Sequence, residues 1–139
     1  MEKFIIHGGK KLSGSVKISG AKNSALVLMP ASLLNEGINT FTNIPEVNDI
    51  YTMKKLLAHL GAGTNFEKNK IVIDTSNIVT QDAPYEHVKK MRASIYVLGP
   101  LLAKYGYAKV SLPGGCAWGP RPINLHLEAM KKLGAELDL

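Results

Sequence analysis

The residues with the clearest potential for chemistry lie in a loop from Pro113 to Pro122 that contains Cys116, the only cysteine of the chain. Three glycines and three prolines surround this thiol, and such a backbone suits a loop that is shaped around a ligand or closes over one. A thiol in a loop serves as an acid or a nucleophile. The competing interpretation is an ordinary turn in which Cys116 is a small buried apolar residue.

A possible anion site follows the cysteine. Arg121 lies five residues after Cys116, and Pro122 suits the first turn of a helix that carries Asn124. Free backbone amides at a helix start, together with a guanidinium group, bind anions. A surface ion pair is the alternative role for Arg121.

Two further candidate cations lie earlier in the chain. Residues 16–26 are predicted to be a strand that runs into a helix start, with Lys22 and Asn23 at the turn. A glycine-containing turn with a lysine resembles a phosphate-binding turn, but the spacing of a Walker A loop is absent. Arg92 follows within a predicted helix. Plain surface charge is the alternative for both cations.

A repeated pattern places these residues on secondary structure. Residues 53–66 and 127–139 share an amphipathic helix, then Leu-Gly-Ala, then a strand. In the first copy the apolar residues Met53, Leu56, Leu57 and Leu60 have helical spacing, and Gly61 is a typical left-handed C-cap. A hairpin is predicted next, with strands on either side of a polar turn at residues 68–70.

The rest of the chain predicts an α/β fold. A long helix is expected from Pro84 to Lys104, with a kink or break at Gly99-Pro100, and a strand follows from Ala108 to Leu112. The order of elements predicts helices packed on a sheet of mixed direction. The second copy of the repeat ends at Leu139 without its hairpin partner, so we expect a truncated fold, part of a longer protein.

Composition narrows the class of protein. The 139 residues hold 17 Lys and Arg against 11 Asp and Glu, a net charge of +6, which suits an anionic partner. Most lysines occur as separated pairs such as Lys89-Lys90, which favours solvated surface charge. One cysteine and four scattered histidines show no metal-ligand spacing, and no stretch is apolar enough to span a membrane. A reducing cytoplasmic location and no metal are expected.

Taken together, the motifs resemble a known family. Ser19 to Asn23, Met91 to Ser94, Pro113 to Cys116 and the following Gly119, Arg121-Pro122 and Leu125-His126 are similar to the N-terminal third of the UDP-N-acetylglucosamine 1-carboxyvinyltransferases, which are bacterial enolpyruvyl transferases. The resemblance covers residues 1–139, and the cysteine loop with its Arg-Pro is its most specific part.

The resemblance implies a fold and a reaction. The fold is a two-domain inside-out barrel of repeated α/β units, of which residues 1–139 would be a partial domain without the second domain. The reaction moves the enolpyruvyl group of phosphoenolpyruvate to the 3'-hydroxyl of UDP-N-acetylglucosamine and releases phosphate. It is the first committed step of peptidoglycan synthesis. No cofactor, nucleic acid or membrane is implied as a partner, and these residues alone are expected to be inactive without the missing C-terminal part.

The resemblance also implies roles for individual residues. Cys116 is the proton donor on a mobile loop and the thiol alkylated by fosfomycin. Lys22 and Asn23 contact phosphoenolpyruvate and the sugar nucleotide, and Arg92 lies in the substrate site. The UDP-sugar is held by a run of five residues, Arg121, Pro122, Ile123, Asn124 and Leu125. Asn124 departs from the family's usual aspartate and removes a charge, which puts nucleotide binding in doubt.

Two alternatives stay open on the sequence. The related shikimate-pathway enolpyruvyl transferases share the fold but lack the cysteine loop, so Cys116 and Asn23 argue against them. A sugar-nucleotide or RNA-binding module on the same scaffold, without the chemistry, belongs to a different functional class.

Overall fold

The computed structural model describes residues 3–112 and 123–139, which form an α/β structure with two small sheets. The α-helices are α1 (Lys22–Ala31), α2 (Asn48–Leu60), α3 (Tyr85–Val88), α4 (Leu98–Tyr105) and α5 (Asn124–Lys132). Two 3-10 helices span Ser32–Leu34 and Arg92–Val97. The strands are β1 (Ile38–Phe41), β2 (Gly63–Glu67), β3 (Lys70–Asp74), β4 (Asp82–Ala83) and β5 (Lys109–Val110).

Helix α2 is the centre of the core. Its apolar side chains at helical spacing are all fully buried: Ile50, Met53, Leu56, Leu57 and Leu60. The predicted end at Leu60 is confirmed, because Gly61 adopts the left-handed conformation with φ 109° and its N–H donates to the Ala58 carbonyl. A side chain at Gly61 would lie 2.6 Å from the Asn77 carbonyl oxygen, so this position also needs glycine for close approach.

The predicted hairpin is confirmed. Strands β2 and β3 pair antiparallel around a two-residue turn in which Lys68 and Asn69 both have positive φ, as such tight turns require. Strand β1 pairs with the other edge of β3, so the order in this sheet is β1-β3-β2. One face of β3 places Ile71 and Ile73 in the core, and its other face is half-buried.

Antiparallel and parallel pairing occur in two separate sheets. The three-stranded sheet is antiparallel, whereas β4 and β5 form a separate parallel pair, with Asp82 opposite Lys109 and Ala83 opposite Val110. The predicted strand at residues 108–112 is therefore present but only two residues long. Helix α2 packs against β4, so the parallel pair lies beside the helix at the centre of the core.

The predicted long helix from Pro84 to Lys104 is wrong. The chain instead forms the single turn of α3, an extended residue at Met91 with φ −148° and ψ 116°, the 3-10 helix and then α4. Gly99-Pro100 does not break the helix, because Pro100 lies in the first turn of α4, where its missing N–H has no intrahelical partner to lose. The break lies eight residues earlier, where Met91 turns into the core and is 6% exposed.

Two predicted strands are also absent. Residues 16–18 have no regular structure and are exposed, although the helix start that follows them is confirmed at Lys22. Residues 135–139 after α5 also form no strand. A strand exists only through its ladder, and neither segment has a pairing partner among residues 3–112 and 123–139.

Candidate functional site

A close backbone approach positions the start of α1. At Gly20 any side chain would overlap the carbonyl group of Asn43, which itself adopts positive φ, so only glycine lets the two segments pass. Ala21 is then extended and α1 begins at Lys22 without a side-chain cap. The first turn of α1 therefore presents Lys22 and Asn23 beside free backbone amides, an arrangement that favours an anion.

Lys22 is held by an ion pair across two helices. Its Nζ lies 2.7 Å from Oδ2 of Asp49, and both side chains are partly exposed, 47% and 35% respectively. Asp49 occupies the first turn of α2, where a carboxylate is stabilised by the helix dipole. Lys22 lies in the first turn of α1, where the helix dipole disfavours a cation. The ion pair with Asp49 offsets that cost.

A second group of cations comes from the segment that breaks the predicted helix. The amide of Lys89 donates to the Tyr85 carbonyl at 2.8 Å and ends α3. Lys90 follows, Met91 turns inward, and Arg92 begins the 3-10 helix with a half-buried side chain. Lys89, Lys90 and Arg92 thus flank the extended residue Met91, and all three line the same cleft.

The two groups of cations line one cleft of ≈ 490 Å³. Among the described residues, its lining includes four cationic side chains, Lys22, Lys89, Lys90 and Arg92, one carboxylate, Asp49, and the imidazole of His126. Asn23 and apolar side chains, including Leu26 and Val27 of α1, complete it. Cations in a concave, partly apolar setting bind phosphate and carboxylate groups more strongly than they do in open water.

The structure brings together three of the residues predicted from sequence. Lys22, Asn23 and Arg92 all line the cleft. Ile123 precedes α5, and Asn124 and Leu125 form its exposed first turn, and none of these three is part of the cleft lining. Their neighbour His126 does line it, so the start of α5 borders the site. Cys116, Arg121 and Pro122 lie outside the described residues.

Sequence reasoning missed other residues of the site. The pairing of Lys89 with Lys90 predicts solvated surface charge, although their position directly before Met91-Arg92 is a signal for the site. Asp49 carries no motif, because its role depends on the packing of α2 against α1, which sequence spacing does not reveal. His126 belongs to a family motif, but the sequence assigns it no role in the site.

The described part of the chain has neither a group of metal ligands nor a membrane-spanning helix. Within residues 3–112 and 123–139, no three His, Cys, Asp or Glu side chains are grouped so that they would hold a metal ion. In those same ranges, none of the helices combines the length and the apolar character needed to cross a membrane.

Comparison with known proteins reveals clear relatives. The chain is 58% identical over 141 aligned residues to a UDP-N-acetylglucosamine 1-carboxyvinyltransferase of Chlorobium limicola, and 56% identical over 140 to one of Chloroherpeton thalassium. Each alignment covers 100% of this chain and 33% of the relative. The chain thus spans a third of the length of these curated relatives.

The fold has a solved counterpart. The crystal structure of the enolpyruvyl transferase NikO from Streptomyces tendae superposes with a TM-score of 0.63 and 26% sequence identity, over 74% of this chain and 24% of that one. This likeness confirms the predicted enolpyruvyl transferase fold. A family profile described as EPSP synthase (3-phosphoshikimate 1-carboxyvinyltransferase) matches residues 6–139, nearly the whole sequence. The chain belongs to the EPSP synthase family of enolpyruvyl transferases.

Proposed function

We propose that a protein of the relatives' length carrying this chain transfers the enolpyruvyl group of phosphoenolpyruvate to the 3'-hydroxyl of UDP-N-acetylglucosamine. The observation that carries the proposal is the meeting of Lys22, Asn23 and Arg92 in one cleft with Lys89 and Lys90. The identity of 58% to proteins named for this reaction supports the choice of substrates. The expected product besides phosphate is the enolpyruvyl ether that leads into peptidoglycan synthesis in the cytoplasm.

The cleft suits the charge of phosphoenolpyruvate. This substrate carries a phosphate and a carboxylate, and two anionic groups on one small molecule need several cations in one place. Lys22 at the start of α1 and the wall of Lys89, Lys90 and Arg92 supply them from two directions. Arg92 suits a planar, bidentate contact with carboxylate or phosphate, whereas the lysines act as point charges.

The proton chemistry is assigned to Cys116. A thiol with an ordinary pKa of about 8.5 is mostly protonated near neutral pH and acts as an acid. In the proposed reaction Cys116 donates a proton to the methylene carbon of phosphoenolpyruvate. The sugar hydroxyl then attacks the adjacent carbon and gives its proton to an aspartate that the family resemblance assigns to the second domain. A proton is then removed from the methyl group, the double bond reforms and inorganic phosphate leaves. A cation near the thiol would favour the thiolate that fosfomycin alkylates, and Arg121, five residues later in the sequence, is the candidate for it.

The UDP-sugar is assigned to the segment from Arg121 to Leu125, on the resemblance to the family. Asn124 lies in the first turn of α5 with an exposed side chain that both donates and accepts hydrogen bonds. Asn124→Asp should therefore change the affinity for UDP-N-acetylglucosamine without changing the fold. Equal affinities of the variant and the wild type would contradict the assignment of Asn124 to the nucleotide site.

The experiment uses a protein of the relatives' length and measures phosphate release from phosphoenolpyruvate with UDP-N-acetylglucosamine. Release that requires both substrates is expected, as is loss of fosfomycin inactivation in Cys116→Ser. Inactivation by fosfomycin that persists in Cys116→Ser would contradict the assignment of Cys116 as the alkylated thiol. Salt-sensitive binding of short RNA in place of UDP-N-acetylglucosamine, with no phosphate release, would favour the binding-module alternative.

A further inference from the structure

The short helix α3 depends on its neighbours for its position. It has four residues, Tyr85 to Val88, and a single helical turn is unstable on its own because nucleation costs more than one turn of hydrogen bonds returns. Val88 is fully buried and ties one side of the turn to the core. A second contact is made by His87, whose ring packs against the ring of His59 from α2.

The contact between the two histidines is close and oriented. Their ring centroids are 4.4 Å apart and the ring planes are tilted by 33°. Nε2 of His59 lies 3.1 Å from the Asp82 carbonyl oxygen, which accepts a hydrogen bond when Nε2 carries hydrogen. His59 therefore connects three elements, since it belongs to α2, stacks on α3 and bonds to the backbone of β4.

The position of α3 decides where two of the cleft's cations lie. Lys89 and Lys90 directly follow α3 and line the cleft. The Lys89 amide donates to the Tyr85 carbonyl, and its Nζ lies 5.6 Å from the centroid of the Tyr85 ring, within the range of a cation–π contact. A shift of α3 would therefore carry the Lys89 ammonium group with it.

We propose that His59 is a positioning residue for the lysine wall of the cleft, acting through its ring contact with His87. His59 is not among the residues that line the cleft, and its ring contact with His87 links it to the helix that precedes Lys89 and Lys90. This inference rests on the proposed function, because it takes the cleft to be an anion site. A histidine suits the role since it combines a flat ring for stacking with a donor that fixes the plane of that ring.

The main test compares His59→Ala, His87→Ala and the double variant, with His7→Ala as the control for loss of an exposed histidine elsewhere. Inorganic phosphate is titrated into each, and the backbone amides of Lys89 and Lys90 are followed by NMR. Each single variant should shift both amides and weaken phosphate binding by about fivefold. The double variant should be no weaker than either single one, because both remove the same contact.

Rescue separates positioning from a general loss of stability. His59→Phe keeps a flat ring against His87, so its Lys89 and Lys90 amides and its phosphate affinity should be closer to wild type than those of His59→Ala. The amides of Ile71 and Ile73 in β3 report whether the core is intact. If His59→Ala does not fold, the Lys89 and Lys90 amides of His87→Ala, compared with those of the wild type, still test whether the ring contact positions these lysines.

Different outcomes overturn different claims. Unchanged Lys89 and Lys90 amides in both alanine variants, additive losses in the double variant, or a Phe variant equal to the Ala variant would each overturn the positioning role. A wild-type protein that binds no phosphate in the cleft would instead contradict the anion site. The amide positions in the absence of phosphate would then still test the role of His59.

Discussion

Nζ of Lys22 lies 2.7 Å from Oδ2 of Asp49, so the cation at the start of α1 is paired with the first turn of α2 inside the cleft. The pair is partly exposed, and its contribution to stability is small, about 1 kcal/mol or less. On the proposed function the pair matters for binding, because an anion in the cleft would compete with Asp49 for Lys22 and meet a like charge beside it.

The first prediction concerns this competition. Asp49→Asn keeps the shape of the side chain and removes its charge, so it should strengthen binding of inorganic phosphate by about fivefold, which corresponds to roughly 1 kcal/mol. The matched control is Asp82→Asn, because Asp82 forms a comparable ion pair with Lys109 at 3.0 Å outside the cleft. Isothermal titration measures both, and equal affinities for the two variants would contradict the role given to Asp49.

A second prediction uses two glycines that end helices in the left-handed conformation. Gly106 has open space around its missing side chain, whereas a side chain at Gly61 would lie 2.6 Å from the Asn77 carbonyl oxygen and 2.7 Å from the Val79 nitrogen. Gly106→Ala should cost about 1 kcal/mol of unfolding free energy through backbone strain alone. Gly61→Ala should cost at least about 1 kcal/mol more, because backbone atoms must also move.

Urea unfolding of both glycine variants gives this comparison directly. Equal losses of unfolding free energy would mean that the close approach at Gly61 relaxes without cost. A larger loss at Gly106 would contradict the packing described around the end of α2.

A third prediction contrasts two buried serines. Oγ of Ser32 donates to the Met29 carbonyl at 2.6 Å, whereas Oγ of Ser94 has no hydrogen-bond partner among the described residues. Removing a satisfied hydroxyl costs about 1 kcal/mol, while removing a buried hydroxyl that lacks a partner relieves its desolvation cost. Ser32→Ala should therefore lower the thermal midpoint and Ser94→Ala should raise it, and a shift of the same sign in both variants would refute the contrast.

A fourth prediction concerns pH. The side chain and the amide of Ser76 both donate to Oδ1 of Asp74, at 2.7 Å and 3.0 Å, and these bonds lower the pKa of the Asp74 carboxyl group. Because the folded pKa lies below the unfolded value, this contribution to stability is present above the unfolded pKa and is lost as pH falls through the folded pKa.

Carbon NMR of the Asp74 carboxyl group checks the shift. Ser76→Ala removes the hydroxyl donor, which is its largest cause, so the pKa of Asp74 should rise toward its ordinary value. An Asp74 pKa that is the same in wild type and Ser76→Ala would assign the shift to another cause.

Much of the fold follows from local sequence, and the exceptions have physical reasons. The helical spacing of the buried residues in α2 and the glycine after it predict that helix and its end. The break before Arg92 was not predicted, because Lys89, Lys90 and Met91 have good helix propensity and the burial of Met91 overrides it. The parallel pairing of β4 with β5 was also missed, since strands of two residues have no periodicity to detect.

Some residues of the candidate site are predictable from sequence and others are not. Lys22, Asn23 and Arg92 were predicted because they carry motifs, and their meeting in one cleft is consistent with a shared role. Lys89 and Asp49 enter the site only through the break in the predicted helix and the packing of α1 on α2. A single sequence gives no signal for Asp49, because only tertiary packing brings it to the site, whereas the position of Lys89 close to Met91-Arg92 is a signal in the sequence.

Binding of phosphoenolpyruvate in the cleft is tested by its titration into the ¹⁵N-labelled chain, with every backbone amide followed by NMR. Saturable shifts are expected at Lys22, Asn23 and Arg92, where they should be largest, and also at Lys89 and Lys90, while the amides of the β2–β3 hairpin stay unchanged. Shifts of equal size at surface lysines such as Lys68 and Lys70, or no saturable shift at Lys22 and Arg92, would contradict binding in the cleft.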